Sequence, residues 1–259
     1  MHIMMRSISK IMPRCPFFDS VLARDRIVLP SCSYQIVEEK LIMEGNIQII
    51  EMELEDKTIA IIASNEFEDI ELEYPLLNFS ERGADVILVP VRAGLHPRPS
   101  LESTDVKPVT GRYGSPLPPD VLPEGDRYVT KTLDELSVDE IDCVMYPGGF
   151  SPDHLRIHDG VIEFTKEAHD AGKIIAAICH GPWVLISADL VEGKTVTGYD
   201  AVHDDLENAG ANLQVVPAVQ DGQIVTGQIP NTLPQFCDAV VEAVANLEEP
   251  PSEPVIADD

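Results

Sequence analysis

Lysine and aromatic side chains are scarce in this sequence, and long hydrophobic runs are missing. Aromatic residues are 5% of the 259, so a core must be built mainly from Ile, Val, Leu and Ala. No apolar stretch reaches the roughly 18 residues of a membrane-spanning helix, which excludes a helical membrane protein. The N-terminus has an Arg and a Lys but no apolar block followed by a small-residue cleavage site, so it does not read as a secretory signal. The five cysteines (Cys15, Cys32, Cys143, Cys179 and Cys237) are odd in number and match no zinc or disulfide spacing. Free thiols in a reducing compartment are expected, and with them a cytoplasmic protein needing no metal or cofactor.

Acidic charge is abundant. The formal net charge is -27, which disfavours nucleic acid and anionic membranes as partners. Residues 1–51 carry six Lys/Arg and six Asp/Glu, whereas residues 52–259 carry twelve against thirty-nine. An acidic, Lys-poor surface suits a high-salt cytoplasm, where counterions screen self-repulsion. Residues 1–51 also hold five of the seven Met and show no clear period beyond a strand hint at Ile47, Ile49 and Ile50. They read as an extension, and one expectation is that translation starts near Met43 or Met52. An intact mass matching all 259 residues would overturn that.

From Thr58 the pattern is regular. Apolar runs at 58–64, 84–90, 142–147 and 173–178 read as strands buried on both faces. Helical patterns at 68–83, 159–172, after 181, at 200–210 and at 231–247 alternate with them, and Pro75 is expected to kink or restart the first. Further strands are expected at 127–133, 195–199, 213–218 and 223–226. Such alternation predicts an α/β fold with a mainly parallel sheet covered on both faces. Residues 92–126 form a long Pro- and Gly-rich excursion, expected to be a lid, a binding loop or disordered. The acidic, Pro-containing tail at 248–259 reads as disordered.

Ligands in such sheets bind at the carboxyl ends of strands. Two of those ends are chemically suggestive, Gly148-Gly149 and Cys179-His180. Ala177-Ile-Cys-His-Gly181 sets Cys179 between a buried strand and a helix start. A sharp strand–turn–helix corner presents such a side chain at the top of the sheet. The helix N-terminus should favour thiolate, and the His180 N–H should face a developing oxyanion. Cys143, in mid-strand, and Cys237, on an apolar helix face, read as buried structural thiols. His154, His158, His169 and His203 lack metal-ligand company and read as solvated helix residues.

The segment Ala177-Ile-Cys-His-Gly-Pro-Trp-Val-Leu-Ile-Ser-Ala188 resembles the nucleophile segment of the PfpI intracellular proteases, in the ThiJ/PfpI superfamily. Three further segments agree in order: Asn65–Pro75 with the family's first helix, Pro147–Arg156 with its Gly-Gly turn, and Gly193–Tyr199 with its strand after the elbow. The likeness spans residues 57–247. It implies a flavodoxin-like three-layer sandwich of the class I glutamine-amidotransferase type, assembled as a dimer or hexamer. It implies Cys179 as nucleophile, His180 as its base or polariser, and Glu68 as the acid contacting the thiol. It implies Asp153 as an acid reaching His180 from a neighbouring subunit. Gly149 and His180 match oxyanion donors, and Tyr199 a site-lining tyrosine. Asp153 stands where some relatives carry Glu, and the 92–126 excursion is longer than in compact members.

The implied activity is a thiol-dependent hydrolase or lyase, a peptidase or a deglycase/glyoxalase acting on small carbonyl or peptide substrates. The alternative is a non-enzymatic redox sensor or holdase. A glutamine amidotransferase would need a His-x-Glu pair after Cys179, and none follows.

Overall fold

The structure, a computed structural model, describes residues 34–37, 40–43, 53–92, 108–120, 122–125, 127–247 and 254–257. The chain divides into two compact units, Met1–Ile50 and Glu51–Asp259. In the first, strands β1 (Tyr34–Val37) and β2 (Lys40–Met43) pair antiparallel. The strand hinted at Ile47–Ile50 lies outside the described residues, as does 93–107 of the excursion.

In the second unit, β3 (Thr58–Ala63) leads through a turn into helix α1 (Asp69–Glu81) and then β4 (Asp85–Pro90). Helix α1 runs through Pro75 without the expected restart, and the proline is buried on its inner face. The excursion supplies a small antiparallel pair, β5 (Val109–Thr110) with β6 (Pro116–Leu117), and then β7 (Val129–Thr130). Strand β8 (Cys143–Tyr146) precedes the short helix α2 (Ser151–Leu155) and α3 (Asp159–Asp170). Strand β9 (Ile174–Ile178) runs into the elbow and α4 (Pro182–Ser187). There follow β10 (Thr195–Val196), α5 (His203–Asn208), β11 (Asn212–Leu213), β12 (Ala218–Asp221), β13 (Ile224–Gly227), α6 (Leu233–Ala245) and β14 (Val255–Ile256).

Eight strands form the central sheet in the order β14-β12-β13-β9-β8-β3-β4-β7. Every pairing from β13 to β7 is parallel, while β12 is antiparallel to both its neighbours. Alternation along each strand divides the core. Ile59, Ile61 and Ala63 pack with Leu72, Phe79, Phe236 and Val240 of α1 and α6. Ala60 and Ile62 face the other way, onto Val161 and Phe164 of α3 and Val184 and Leu185 of α4. Each fully buried side chain of this size contributes about 1.5–3 kcal/mol. A mainly parallel sheet with helices on both faces is the expected three-layer sandwich.

Two sequence readings need correction. The tail is not wholly without structure, because Val255–Ile256 pairs with β12, Val219 opposite Ile256 and Gln220 opposite Val255. The Ala257 N–H donates to the Ala218 carbonyl at 2.9 Å. Composition argues against a self-sufficient core there, but an open strand edge offers a row of unpaired backbone groups. His154 is buried rather than solvated, 4.0 Å from a Glu66 carboxylate oxygen, because α2 packs against α4 and β3. His158 has a local task, since its Nδ1 accepts the Val161 N–H at 3.3 Å and caps α3. Cys143 and Cys237 are buried thiols, as their positions suggest.

Candidate active site

The end of β9 turns sharply at Cys179, whose φ is +62°. An L residue in the left-handed region is disfavoured by roughly 1–2 kcal/mol, so the surrounding structure must hold it there. The Cys179 N–H donates to the Gly227 carbonyl and its carbonyl accepts the Tyr199 N–H, both at 2.9 Å. The Gly181 N–H closes the turn on the Ile178 carbonyl at 2.7 Å. A side chain at 181 would put its Cβ 2.6 Å from the Tyr146 carbonyl, so only glycine fits the corner. The sulfur then meets the neighbouring strand end. Backbone N–H groups of Gly149 and His180 lie beside it, near enough to favour its anion. Gly149 has a φ of +71°, and a Cβ there would lie 2.4 Å from the Glu66 carbonyl.

The carboxyl beside the sulfur belongs to Glu71, and the expectation for Glu68 fails. Glu71 is fully buried beside Cys179 and accepts the Gly148 N–H at 2.8 Å through Oε2, while its buried Oε1 has no hydrogen-bond partner among the described residues. Glu68 occupies the position just before α1, and its carboxylate pairs with Arg112 at 2.8 Å. The phase of the helix explains the exchange. Positions 71, 72, 75, 76 and 79 form the buried stripe of α1, whereas residue 68 precedes the first helical turn.

Burial dominates the acid–base chemistry. Desolvation pushes the Glu71 carboxyl up to about 8, against the opposing pull of the Gly148 N–H. It is therefore protonated at neutral pH and can donate to sulfur. Burial also raises the Cys179 thiol, and Glu71, once ionised, raises it further; the Gly149 and His180 N–H groups act the other way. The expected lowering by a helix N-terminus is not what this environment delivers, because the thiol is only 8% exposed and α4 is short.

His180 stacks on the Tyr199 ring at 5.1 Å and meets the edge of Trp183 at 5.0 Å. Trp183 is itself fixed by donating Nε1–H to Asp205 at 2.8 Å. Burial and then Arg112 lower the pKa of His180, while Asp153 raises it. Its Nδ1 is buried with no hydrogen-bond partner among the described residues. Asp153 is exposed on α2, near enough for its charge to be felt at His180. Tyr199 lines the site as expected.

The excursion enters the site, which the sequence left open. The turn between β5 and β6 is fastened to the start of α1 by Asp69, whose carboxylate accepts the Tyr113 and Ser115 N–H groups at 2.9 Å each. This brings Arg112 within 5.5 Å of the Phe150 ring, beside Gly149. Glu71, Arg112, Phe150 and Trp183 were all missed from sequence. Only Glu71 left a signal, as a carboxylate within an apolar helix stripe. Among the described residues, no group of three His, Cys, Asp or Glu side chains could hold a metal ion.

Residues 57–243 match the DJ-1/PfpI family. The candidate cysteine protease YraA of Bacillus subtilis is 37% identical over 180 residues, 70% of this chain and 94% of that protein. Protein/nucleic acid deglycase 2 of Escherichia coli is 35% identical over 181 residues, 70% of this chain and 93% of that one. Deglycase PfpI of Pyrococcus furiosus is 32% identical over 175 residues, 68% and 92% respectively. In fold, Drosophila melanogaster DJ-1beta superposes with a TM-score of 0.58 at 22% identity, over 74% of this chain and 94% of that one. With the elbow, the Gly-Gly turn and the buried glutamate in place, and with the match spanning most of its length, this chain belongs to the DJ-1/PfpI family.

Proposed function

We propose that the protein is a thiol-dependent enzyme in which Cys179 attacks carbonyl carbon, with small carbonyl compounds and their protein adducts as substrates, as the deglycase names of its relatives suggest. The observation that carries this reading is the crowding of the buried Glu71 carboxyl, Cys179 and the His180 N–H around Gly148, where a Cβ would lie 2.6 Å from Glu71 Oε2, 2.7 Å from Cys179 Cβ and 3.0 Å from the His180 nitrogen, with the Gly149 N–H beside the sulfur. A side chain held at φ +62° under that constraint is poised for reaction rather than for packing.

The sulfur adds to the carbonyl carbon, the C=O electron pair moves onto oxygen, and the Gly149 and His180 N–H groups stabilise the resulting charge. His180, largely neutral, takes the thiol proton and returns it to the new alkoxide. Glu71, protonated near neutrality, donates to the sulfur and steadies it as an anion. The low exposure of Cys179 favours small carbonyl groups over an extended polypeptide, so the peptidase reading ranks second.

In this scheme Asp153 of a neighbouring subunit acts on His180, completing a Cys–His–Asp arrangement in a homo-oligomer. Asp153 is exposed on α2 and its charge is felt at His180, which supports a role for this acid. The test is turnover of methylglyoxal, glycated peptide and casein by wild type and Cys179→Ser, in molar salt. We expect activity to fall by about a thousandfold or more in the variant. Persisting turnover would remove Cys179 from the mechanism. The same ring of donors would also hold an oxidised sulfur. Peroxide-driven sulfinate at Cys179, found by mass mapping in a protein with no turnover, would favour the redox-sensor reading instead.

A further inference from the structure

We propose that Arg112 is a specificity-determining residue, selecting carbonyl compounds that carry a carboxylate next to the reactive carbonyl; the inference rests on the reading of Cys179 as a carbonyl nucleophile. Arg112 is one of only twelve Lys and Arg beside thirty-nine acids in residues 52–259, so a cation fixed over Phe150, next to Gly149, is an exception. Its backbone is anchored on several sides. The Arg112 N–H donates to the Phe67 carbonyl at 2.9 Å, and the Glu66 N–H to the Thr110 carbonyl at 2.6 Å. The Thr110 N–H donates to Asn65 at 3.1 Å, and Asp69 holds Tyr113 and Ser115. Gly111 sits so close to the Asp69 carboxylate that a Cβ would lie 2.6 Å from it.

The guanidinium is equally well placed. It lies 5.5 Å from the Phe150 ring and donates Nη1–H to Glu68 at 2.8 Å. Among the described residues, no hydrogen bond engages its Nε and Nη2 edge, and the side chain is 41% exposed. An ion pair that exposed contributes little to stability, which does not account for a turn fastened at five points. A planar fork with one edge open suits bidentate recognition of a carboxylate. The Phe150 ring bridges Arg112 and His180, 5.5 Å from the Arg112 guanidinium and 6.5 Å from the His180 ring, so a carboxylate held by Arg112 would place its neighbouring carbonyl toward the His180 and Cys179 corner. The step itself is a simple addition: the C–S bond forms, the C=O π bond opens, and the sulfur's proton passes to oxygen. No oxidant or reductant is needed.

The test is protection of Cys179 from iodoacetamide by glyoxylate, which carries the carboxylate, and by glyoxal, which does not. Alkylation is read by mass on the peptide containing Cys179, in the full-length protein. In wild type, glyoxylate should half-protect at a concentration lower than glyoxal by on the order of tenfold. Arg112→Gln should bring that ratio close to one, and Arg112→Lys, which keeps the charge and loses the fork, should fall between. An unchanged ratio in Arg112→Gln would overturn the role of Arg112 and leave the nucleophile intact. Failure of both compounds to protect wild type would overturn the carbonyl chemistry, and this inference with it.

Discussion

Glu71 sets the most testable behaviour of any single residue here. Its carboxyl lies at about 8 in the folded chain against an ordinary 4.5. Because the folded value is the higher one, the native state binds the proton more tightly. The corresponding stability is fully present below pH 4.5 and is lost as the pH rises through about 8. Glu71→Gln keeps the shape without the ionisation. Its unfolding free energy should therefore fall less than that of wild type across this window, by on the order of a few kcal/mol. Urea denaturation at a series of pH values checks it, and parallel curves for the two proteins would refute the buried, protonated carboxyl. Residue 71 also shows what was legible in the sequence. Its place in the apolar stripe of α1 is readable from spacing alone, whereas Glu68 drew attention only through the likeness of a segment crowded with acids. Glu71's contact with Cys179 joins two residues distant in sequence, and spacing cannot supply that.

At the scale of elements, the site is the meeting of three strand ends. The turn after β3 carries Glu68 and opens α1, whose first turn carries Glu71; the Gly-Gly turn after β8 carries Gly149, and the elbow after β9 carries Cys179. Their parallel registers, Ile61 opposite Met145 and Met145 opposite Ala176, bring the three ends level. Gly148 is the point of closest approach. A Cβ there would lie 2.6 Å from Glu71 Oε2 and 2.7 Å from Cys179 Cβ. Gly148→Ala should cost about 1–3 kcal/mol through overpacking, and it should suppress turnover well beyond that loss by displacing the thiol. Thermal unfolding and kinetics together check this; an alanine variant with normal turnover would show a looser junction. The strands and long helices were readable because their apolar periods are strong. The turn at 111–115 was not, because hydrogen bonds from Asp69, more than forty residues earlier, fix it and no local pattern encodes them. The short strands β5, β6 and β14 escaped notice for the same reason, being too brief to show a period.

At the scale of the whole molecule, one prediction concerns assembly. If Asp153 serves His180 of another subunit, Cys179→Ser and Asp153→Asn should each be inactive alone. Mixed oligomers of the two should recover activity, since one intact site can be assembled from the pair. Native mass spectrometry establishes that mixing has occurred, and mixing without recovery would place the acid elsewhere. The parallel sheet itself followed from alternating strand and helix patterns, but its antiparallel margin did not, because β12 (Ala218–Asp221) and β14 are too short for their pattern to reveal strand direction. That margin has a practical side. With Ala257 tied to Ala218, residues 255–257 run along the rim of the sheet. A protease cutting before Val255 would bare the outermost rungs of the ladder to any other extended chain.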